Sequence, residues 1–488
     1  MAAWAAVRSA AGLGGSLRAV LGALPPQVLA EVDLVALAGD FPARPADLTP
    51  AAVLRISPPS HAALTPLADW SAAAALAVGG RIAVVPGGTS LTGHMLGRLD
   101  RAAVAAFARR VADEGVRDFA VAAAGALTAP GPELEAAEII TERVPDAVIT
   151  LSHEIGKIGL RERESAAVLN AVLRGRTARL CDEALRVLTR AGLRVPLFLA
   201  RNTGGLVSAE YLRRYPVIGA ASAVACALRG GALLAGADRA VVVDAAAAEI
   251  RCGAVRGGEV ERAGGDPSGL GVPADADAVS AARLPFGGSS LIGTSGAPGP
   301  PRPHGSGVPL CYGGGRPTVT DAGAAAGITH HIDAGYSTVR AVPPAGLRPE
   351  RARELVRTLR AQVEQLVERV MERAPDALVV ATGGTAWLAP GTPEPWAPGA
   401  AAFGAASAEA VAEVERVGVA TGRSELDRLL ALATEEALAR VLAAGGAPDG
   451  VRIVSASHTP MAYLPEGVHR ITVRAAGAPS TGPAAGAR

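Results

Sequence analysis

Between Leu151 and Gly175 the chain reads LSHEIGKIGLRERESAAVLNAVLRG, which sets Glu154, Lys157, Arg161, Glu162, Arg163, Glu164 and Asn170 into a protein otherwise dominated by alanine. Lys157 is its single lysine. If this charged turn lines a cleft, Glu154 and Arg161 could hold a small polar ligand through charge-assisted hydrogen bonds. The plainer alternative is a solvated helix start in which Glu162 and Glu164 complement the helix dipole. His330-His331-Ile332-Asp333 invites a metal or acid/base role. Neighbouring histidines on a strand point to opposite faces, so one of them at most could join Asp333, and a surface pair is the other reading. Ser152 and Ser208 lack the flanks of a nucleophile elbow, which gives serine-hydrolase chemistry little support. Cys181, Cys226, Cys252 and Cys311 lie far apart with no CxxC pair and no zinc spacing. They read as reduced, buried thiols of a cytoplasmic protein.

The elements that must position these residues are legible as periodicity. A strand-like run, Ala147–Leu151, feeds the charged turn, and from about Arg161 the pattern turns helical, with Val168, Leu169, Val172 and Leu173 on one face. Upstream, the short runs Asp33–Leu37, Ala51–Ile56, Arg81–Val85 and Asp118–Ala122 alternate with Ala-rich helices such as Arg101–Glu114, the pattern of βαβ units. This predicts one domain over residues 1–195 and a second over 196–475. The second holds the strand Ala240–Val243, the helix Pro349–Arg373, the strand Ala377–Ala381, the helix Ser424–Ala444 and the strands Val451–Ser455 and His469–Ala475. Within it, residues 257–306 are rich in Gly, Pro and Ser and read as a surface excursion or a disordered loop, and residues 476–488 as a mobile tail.

A chain of 488 residues that is 49% hydrophobic, with a mean hydropathy of +0.28, has ample apolar surface for two or three cores. The formal charge is +1, and the arginines that make up all but one of the 47 basic residues are scattered, which gives no nucleic-acid footprint. Arg8 and Arg18 interrupt the apolar N-terminus, and Arg229, Asp238 and Arg239 interrupt Val217–Val243, so no run reaches the roughly 18 apolar residues of a membrane span.

Ser152-His153-Glu154-Ile155-Gly156, followed by Arg161–Glu164 and by Leu169-Asn170-Ala171, is similar to the N-terminal half of the A-type subunits of the hydantoinase/oxoprolinase family. Further segments resemble landmarks of that family in its order: Ala51–Trp70, the glycines Gly87, Gly88 and Gly93, Arg201–Pro216, FGGSSLI at Phe286–Ile292, YGGGRPTVTD at Tyr312–Asp321, VATGGTAWLAP at Val380–Pro390 and TPMAYLP at Thr459–Pro465. The resemblance implies an α/β, two-lobed actin/hexokinase-like fold of duplicated ribonuclease H-like halves. It implies ATP and Mg²⁺ as cofactors, a cyclic-amide ligand and a B-type partner subunit, since known members use ATP to open cyclic amides or to carboxylate ketones. In such an enzyme, phosphorylation of the amide oxygen makes the carbonyl electrophilic and water opens the ring. Carried over to this chain, Glu154, Arg161, Glu162, Asn170 and Asn202 would line the cleft, Asp244 would orient Mg²⁺, and Gly287, Gly288, Gly383 and Gly384 would contact the nucleotide.

The chain departs from the family where phosphate should be held. A loop of the form Asp-x-Gly-Gly-Thr-Thr-x-Asp should follow the strand ending Val241-Val242-Val243-Asp244, and the sequence there is Ala245-Ala246-Ala247-Ala248-Glu249-Ile250-Arg251. Alanine neither adopts positive φ without strain nor offers a hydroxyl. The first loop of this kind, expected near the start, has no counterpart, so either the start is truncated or the loop is lost. Gly87–His94 reads GGTSLTGH without the family's acids, and Gly39–Ala46 keeps only its terminal glycine and alanine. Two readings follow: an ATP-dependent amidohydrolase subunit, or a pseudoenzyme that keeps the scaffold as a structural or regulatory partner.

Overall fold

The computed structural model describes residues 12–482 except Pro42, Pro267, Asp275, 293–306, 329–346, Thr392 and 465–466. Its first sheet is wholly parallel, with strands Ile82–Val85, Ala52–Ile56, Asp118–Ala123 and Val148–Leu151 in that order. Parallel neighbours need crossovers, and the helices Ala72–Val78, Arg101–Asp113 and Gly131–Arg143 supply them. Ala52–Ile56 is buried at every position because both faces are covered. Val104, Phe107, Ala108, Val111, Ile139 and Ile140 pack on one face, and the helix Leu160–Arg190 covers the other through Ala166–Leu173.

That helix has 31 residues, a length of about 46 Å at 1.5 Å per residue. Its first half serves the first sheet, while Cys181, Ala184 and Leu188 pack with Leu197, Leu199 and Val207 in a different core. Leu197 and Leu199 belong to a six-stranded mixed sheet with the order Val35–Leu37, Leu197–Ala200, Leu206–Ser208, Ala410–Val419, Val468–Gly477 and Arg452–Pro460. The early strand Val35–Leu37 therefore pairs across the expected boundary at 195, parallel to Leu197–Leu199. Along Ala410–Val419 the residues Ala410, Ala412 and Val414 pack on the helix Arg423–Ala443. The alternate residues Val411, Glu413, Glu415 and Val417 take the other face, where Val417 meets Leu127 of the first unit.

A third sheet is built on the hairpin Arg239–Ala245 and Ile250–Arg256, with Leu378–Thr382 parallel to its first strand and Ala282–Leu284 antiparallel to its second. The helix Pro349–Met371 covers one face through Leu355, Val356, Leu359 and Val363, and Ala223–Leu234 covers the other. Ala223–Leu234 also lies so close to Ala400–Ala406 that a Cβ on Gly230 would sit 1.9 Å from the Ala400 carbonyl oxygen. Within the Gly/Pro-rich segment, Arg262–Gly265 and Ala276–Val279 form a two-stranded sheet. Order also continues past residue 475, since the strand Val468–Gly477 is followed by a bridge from Pro479 to Gly446. Among the described residues no helix is long and apolar enough to cross a membrane.

Candidate functional site

The charged segment does not behave as one surface. Arg163 and Glu164 turn inward, whereas Glu162 is exposed and Arg161 pairs with Asp69 at the surface. Arg163 is fully buried and donates to Ser152 Oγ (2.9 Å) and to the carbonyls of Ala123 (2.7 Å), Lys157 (3.1 Å) and Ile158 (3.1 Å). Burial lowers its pKa, and the carboxylate of Glu133 opposes that shift. Glu133 is also fully buried. It accepts from the Ala123 N–H (2.8 Å) and from Ser152 Oγ, and lies 2.6 Å from His153 Nδ1. Glu164 forms a two-point pair with Arg55 of the central strand, and burial raises its pKa against the pull of that guanidinium. The Ser-His-Glu segment and the Arg-Glu-Arg-Glu segment are thus tied together by one buried polar network at the strand ends. Such networks are costly unless every member is paired.

Asn170 and Asn202 serve one stretch of backbone from both sides. Asn170 donates to Thr150 Oγ1 (3.1 Å) and the Arg214 carbonyl (2.9 Å) and accepts from the Val217 N–H (3.3 Å). Asn202 donates to the Val217 carbonyl (2.9 Å) and accepts from the Ala221 N–H (2.9 Å). Both are buried, and together they hold the irregular segment 214–221 in place. That segment carries Tyr215, whose hydroxyl donates to Glu154 (2.9 Å), while burial and the Glu154 charge raise the phenol pKa.

Glu154 and Lys157 line a narrow polar cavity of about 50 Å³ between the first sheet and the six-stranded sheet, with Arg201, Tyr215, Asp277 and Glu415. A wider space of about 520 Å³ adjoins it and shares His153, Glu154, Tyr211, Tyr215 and Arg440. Of the five residues expected in the cleft, Glu154 alone lines this cavity. Glu133, Arg201, Asp277, Glu413 and Glu415 did not stand out in the sequence reading. Glu413 and Glu415 had a usable signal: two acids spaced by two in an apolar run mark one face of a strand.

The hairpin loop forms a separate place. Asp244 and Arg251 are directly opposed on the antiparallel strands, and Asp244 Oδ2 accepts from Arg251 Nε (3.1 Å) and from a terminal nitrogen (2.7 Å). The other terminal nitrogen reaches Asp40, from the segment before Pro42, and lies 3.8 Å from Glu249. Burial raises the Asp244 pKa and Arg251 opposes it; the surrounding carboxylates raise the Arg251 pKa although burial acts against them. Three of the four named glycines pack on the Ala245–Ala247 turn. A Cβ on Gly383, where φ is +88°, would be 2.4 Å from the Ala245 oxygen, and one on Gly287 would be 2.4 Å from the Ala246 oxygen. The Gly288 N–H donates to Ala246 (3.1 Å), Ser289 N–H to Ala247 (2.8 Å) and Thr385 N–H to Ala245 (3.0 Å). Gly384 has open space at its Cβ position.

Among the described residues no group of three His, Cys, Asp or Glu is placed to hold a metal ion. The His330-His331-Asp333 cluster lies outside the described residues. All four cysteines are buried and free, and burial pushes the Cys226 and Cys252 thiols up to about 12.

This mixed α/β arrangement defines a fold class with solved members. It is similar to a nucleotide-free acetone carboxylase, with a TM-score of 0.65 and 13% identity over 95% of this chain and 82% of that one. It is also similar to an ATP-dependent caprolactamase from Pseudomonas jessenii, with a TM-score of 0.68 and 17% identity over 95% of this chain and 81% of that one. Residues 163–383 match the hydantoinase/oxoprolinase family model. No curated protein sequence matches it.

Proposed function

We propose that this chain is a hydantoinase/oxoprolinase-type scaffold without ATP-driven chemistry, acting as a structural or regulatory partner of a B-type subunit. The observation that carries this reading is the Asp244–Arg251 pair. A phosphate loop in an actin-like ATPase needs backbone N–H groups aimed at the anion and a carboxylate left for Mg²⁺. Here the turn directs the carbonyls of Ala245, Ala246 and Ala247 toward the N–H groups of Gly288, Ser289 and Thr385. Its carboxylate faces a guanidinium, so the donor set does not fit a phosphate-bound Mg²⁺. A hairpin followed by a parallel strand, with helices on both faces, supports an actin/hexokinase-like assignment for this half.

The second reading, an ATP-dependent cyclic-amide hydrolase subunit, is favoured by the two structural neighbours, both ATP-dependent enzymes. Calorimetry with MgATP on the purified chain separates the two. The scaffold reading expects no heat up to millimolar nucleotide; micromolar binding would overturn it.

A further inference from the structure

Two histidines outside every site described above meet at the edge of the six-stranded sheet. The hairpin of Arg452–Pro460 and Val468–Gly477 sets Ile471 opposite His458 and His469 opposite Pro460, so the two histidines are diagonal neighbours on one face. Their Nδ1 atoms are 3.3 Å apart and their ring centroids 5.2 Å. The backbone beneath them is fixed on both sides. Ile471 is buried in the core formed with the helix Arg423–Ala443, and beyond the pair the Met461 N–H donates to the Val468 carbonyl (2.9 Å).

This spacing matches a chelate. A neutral imidazole offers one lone pair and is the commonest protein ligand of a metal ion. Two such nitrogens bound tetrahedrally to Zn²⁺, each at about 2.0–2.1 Å, stand about 3.3 Å apart. For an N–H hydrogen bond the same distance is long, since the usual range ends near roughly 3.2 Å. Without metal, one ring directs its Nδ1–H at the other Nδ1. Binding moves that proton through solvent to Nε2 of its own ring, so both rings stay neutral and both Nδ1 lone pairs face the ion. Among the described residues no group of three His, Cys, Asp or Glu adds a further donor, so waters complete the coordination, as at open zinc sites. A pair of nitrogens does not serve Mg²⁺ or Ca²⁺, which take oxygen ligands.

We propose that His458 and His469 chelate a divalent transition-metal ion of the Zn²⁺, Ni²⁺ and Cu²⁺ class and so pin the edge strand to the strand beside it. Arg452–Pro460 is exposed at every residue except Ile453 and joins the sheet along one side only. A cross-link that forms only in the folded hairpin raises its stability as metal is added. The test uses the full chain, free of any affinity tag and stripped of metal by a chelator. In calorimetric titration with Zn²⁺, His458→Asn and His469→Asn should each weaken one equivalent by at least about tenfold, the least that even an outer partner of a metal ligand contributes. Cu²⁺ should bind that equivalent more tightly than Zn²⁺. On the unaltered chain, acylation of His458 and His469 by diethyl pyrocarbonate, mapped by peptide mass spectrometry, should slow with Zn²⁺ and not with Mg²⁺. This second measurement decides the matter if a variant does not fold. Zn²⁺ binding unchanged in both folded variants overturns the proposal, as does equal labelling of the two histidines with and without Zn²⁺. The pair takes no part in the Asp244 loop, so the MgATP titration is read independently and either proposal can fail while the other stands.

Discussion

Arg251 is buried among carboxylates, and its removal measures how far the Asp244 region has become a structural ion pair. Deleting one member of a buried pair strands the other charge and costs about 3–5 kcal/mol. Urea denaturation of Arg251→Met should therefore show a loss of that size, with Asp244→Asn on the same chain recovering part of it. A midpoint equal to that of the unaltered chain would count against the pair as a stabilising contact. Asp277 supplies a pH-dependent test. Burial pushes its carboxyl up, but Lys157 and Arg201 outweigh burial and hold it below its ordinary 3.8. A depressed folded pKa contributes stability above the unfolded value, and that contribution is lost as pH falls through the folded one. Lys157→Met removes one of the two cations, so acid-induced loss of stability should begin at a higher pH than in the unaltered chain. Superimposable acid-unfolding curves would refute this.

At the scale of elements, the contact between helices Ala223–Leu234 and Ala400–Ala406 depends on having no side chain at its centre. A methyl on Gly230 would meet the Ala400 carbonyl at 1.9 Å, and one on Gly404 would meet the Cys226 carbonyl at 2.0 Å. Backbone cannot swing aside as a flexible side chain can, so Gly230→Ala should lower stability by about 1–3 kcal/mol, the range for overpacking. Thermal melting checks this, and Gly236→Ala, with nothing within 4 Å of its Cβ position but a φ of +64°, gives the comparison for strain without crowding. Periodicity made these elements legible where one face alone is apolar, as in Pro349–Met371, or where a short apolar run crosses a covered sheet, as in Ala52–Ile56. It failed for Ala410–Val419, whose second face carries Glu413 and Glu415 toward a polar cavity instead of solvent. The alternation was present in the residues, but without the facing unit nothing said that those acids were inside.

Across the whole molecule, the helix Leu160–Arg190 joins two cores, and the strand Val35–Leu37 returns to a sheet completed only by residues beyond 400. All four thiols are buried: Cys181 is pushed up to about 11 by burial and Cys311 to about 12. Thiol labelling should stay slow in the native state and rise with unfolding measured by circular dichroism, because the reactive thiolate is suppressed until burial is lost. Rapid labelling of any one cysteine under native conditions would show a locally open core. The Ser-His-Glu and Arg-Glu-Arg-Glu segments were enough by themselves to point to the family, and the four alanines after Asp244 were enough to place the phosphate loop in doubt. Both depend on which residue type occupies a position in a local pattern, and a linear chain displays that directly. Whether each charge in Leu151–Gly175 faces a core, a cavity or solvent depended on partners 11 to 286 residues away. Arg163 found Glu133 and Ser152, Asn170 found the backbone near Val217, and Glu154 came to line the same space as Arg440. Only the tertiary structure decided this, because burial and electrostatic pairing are set by what packs against a residue and not by its neighbours along the chain.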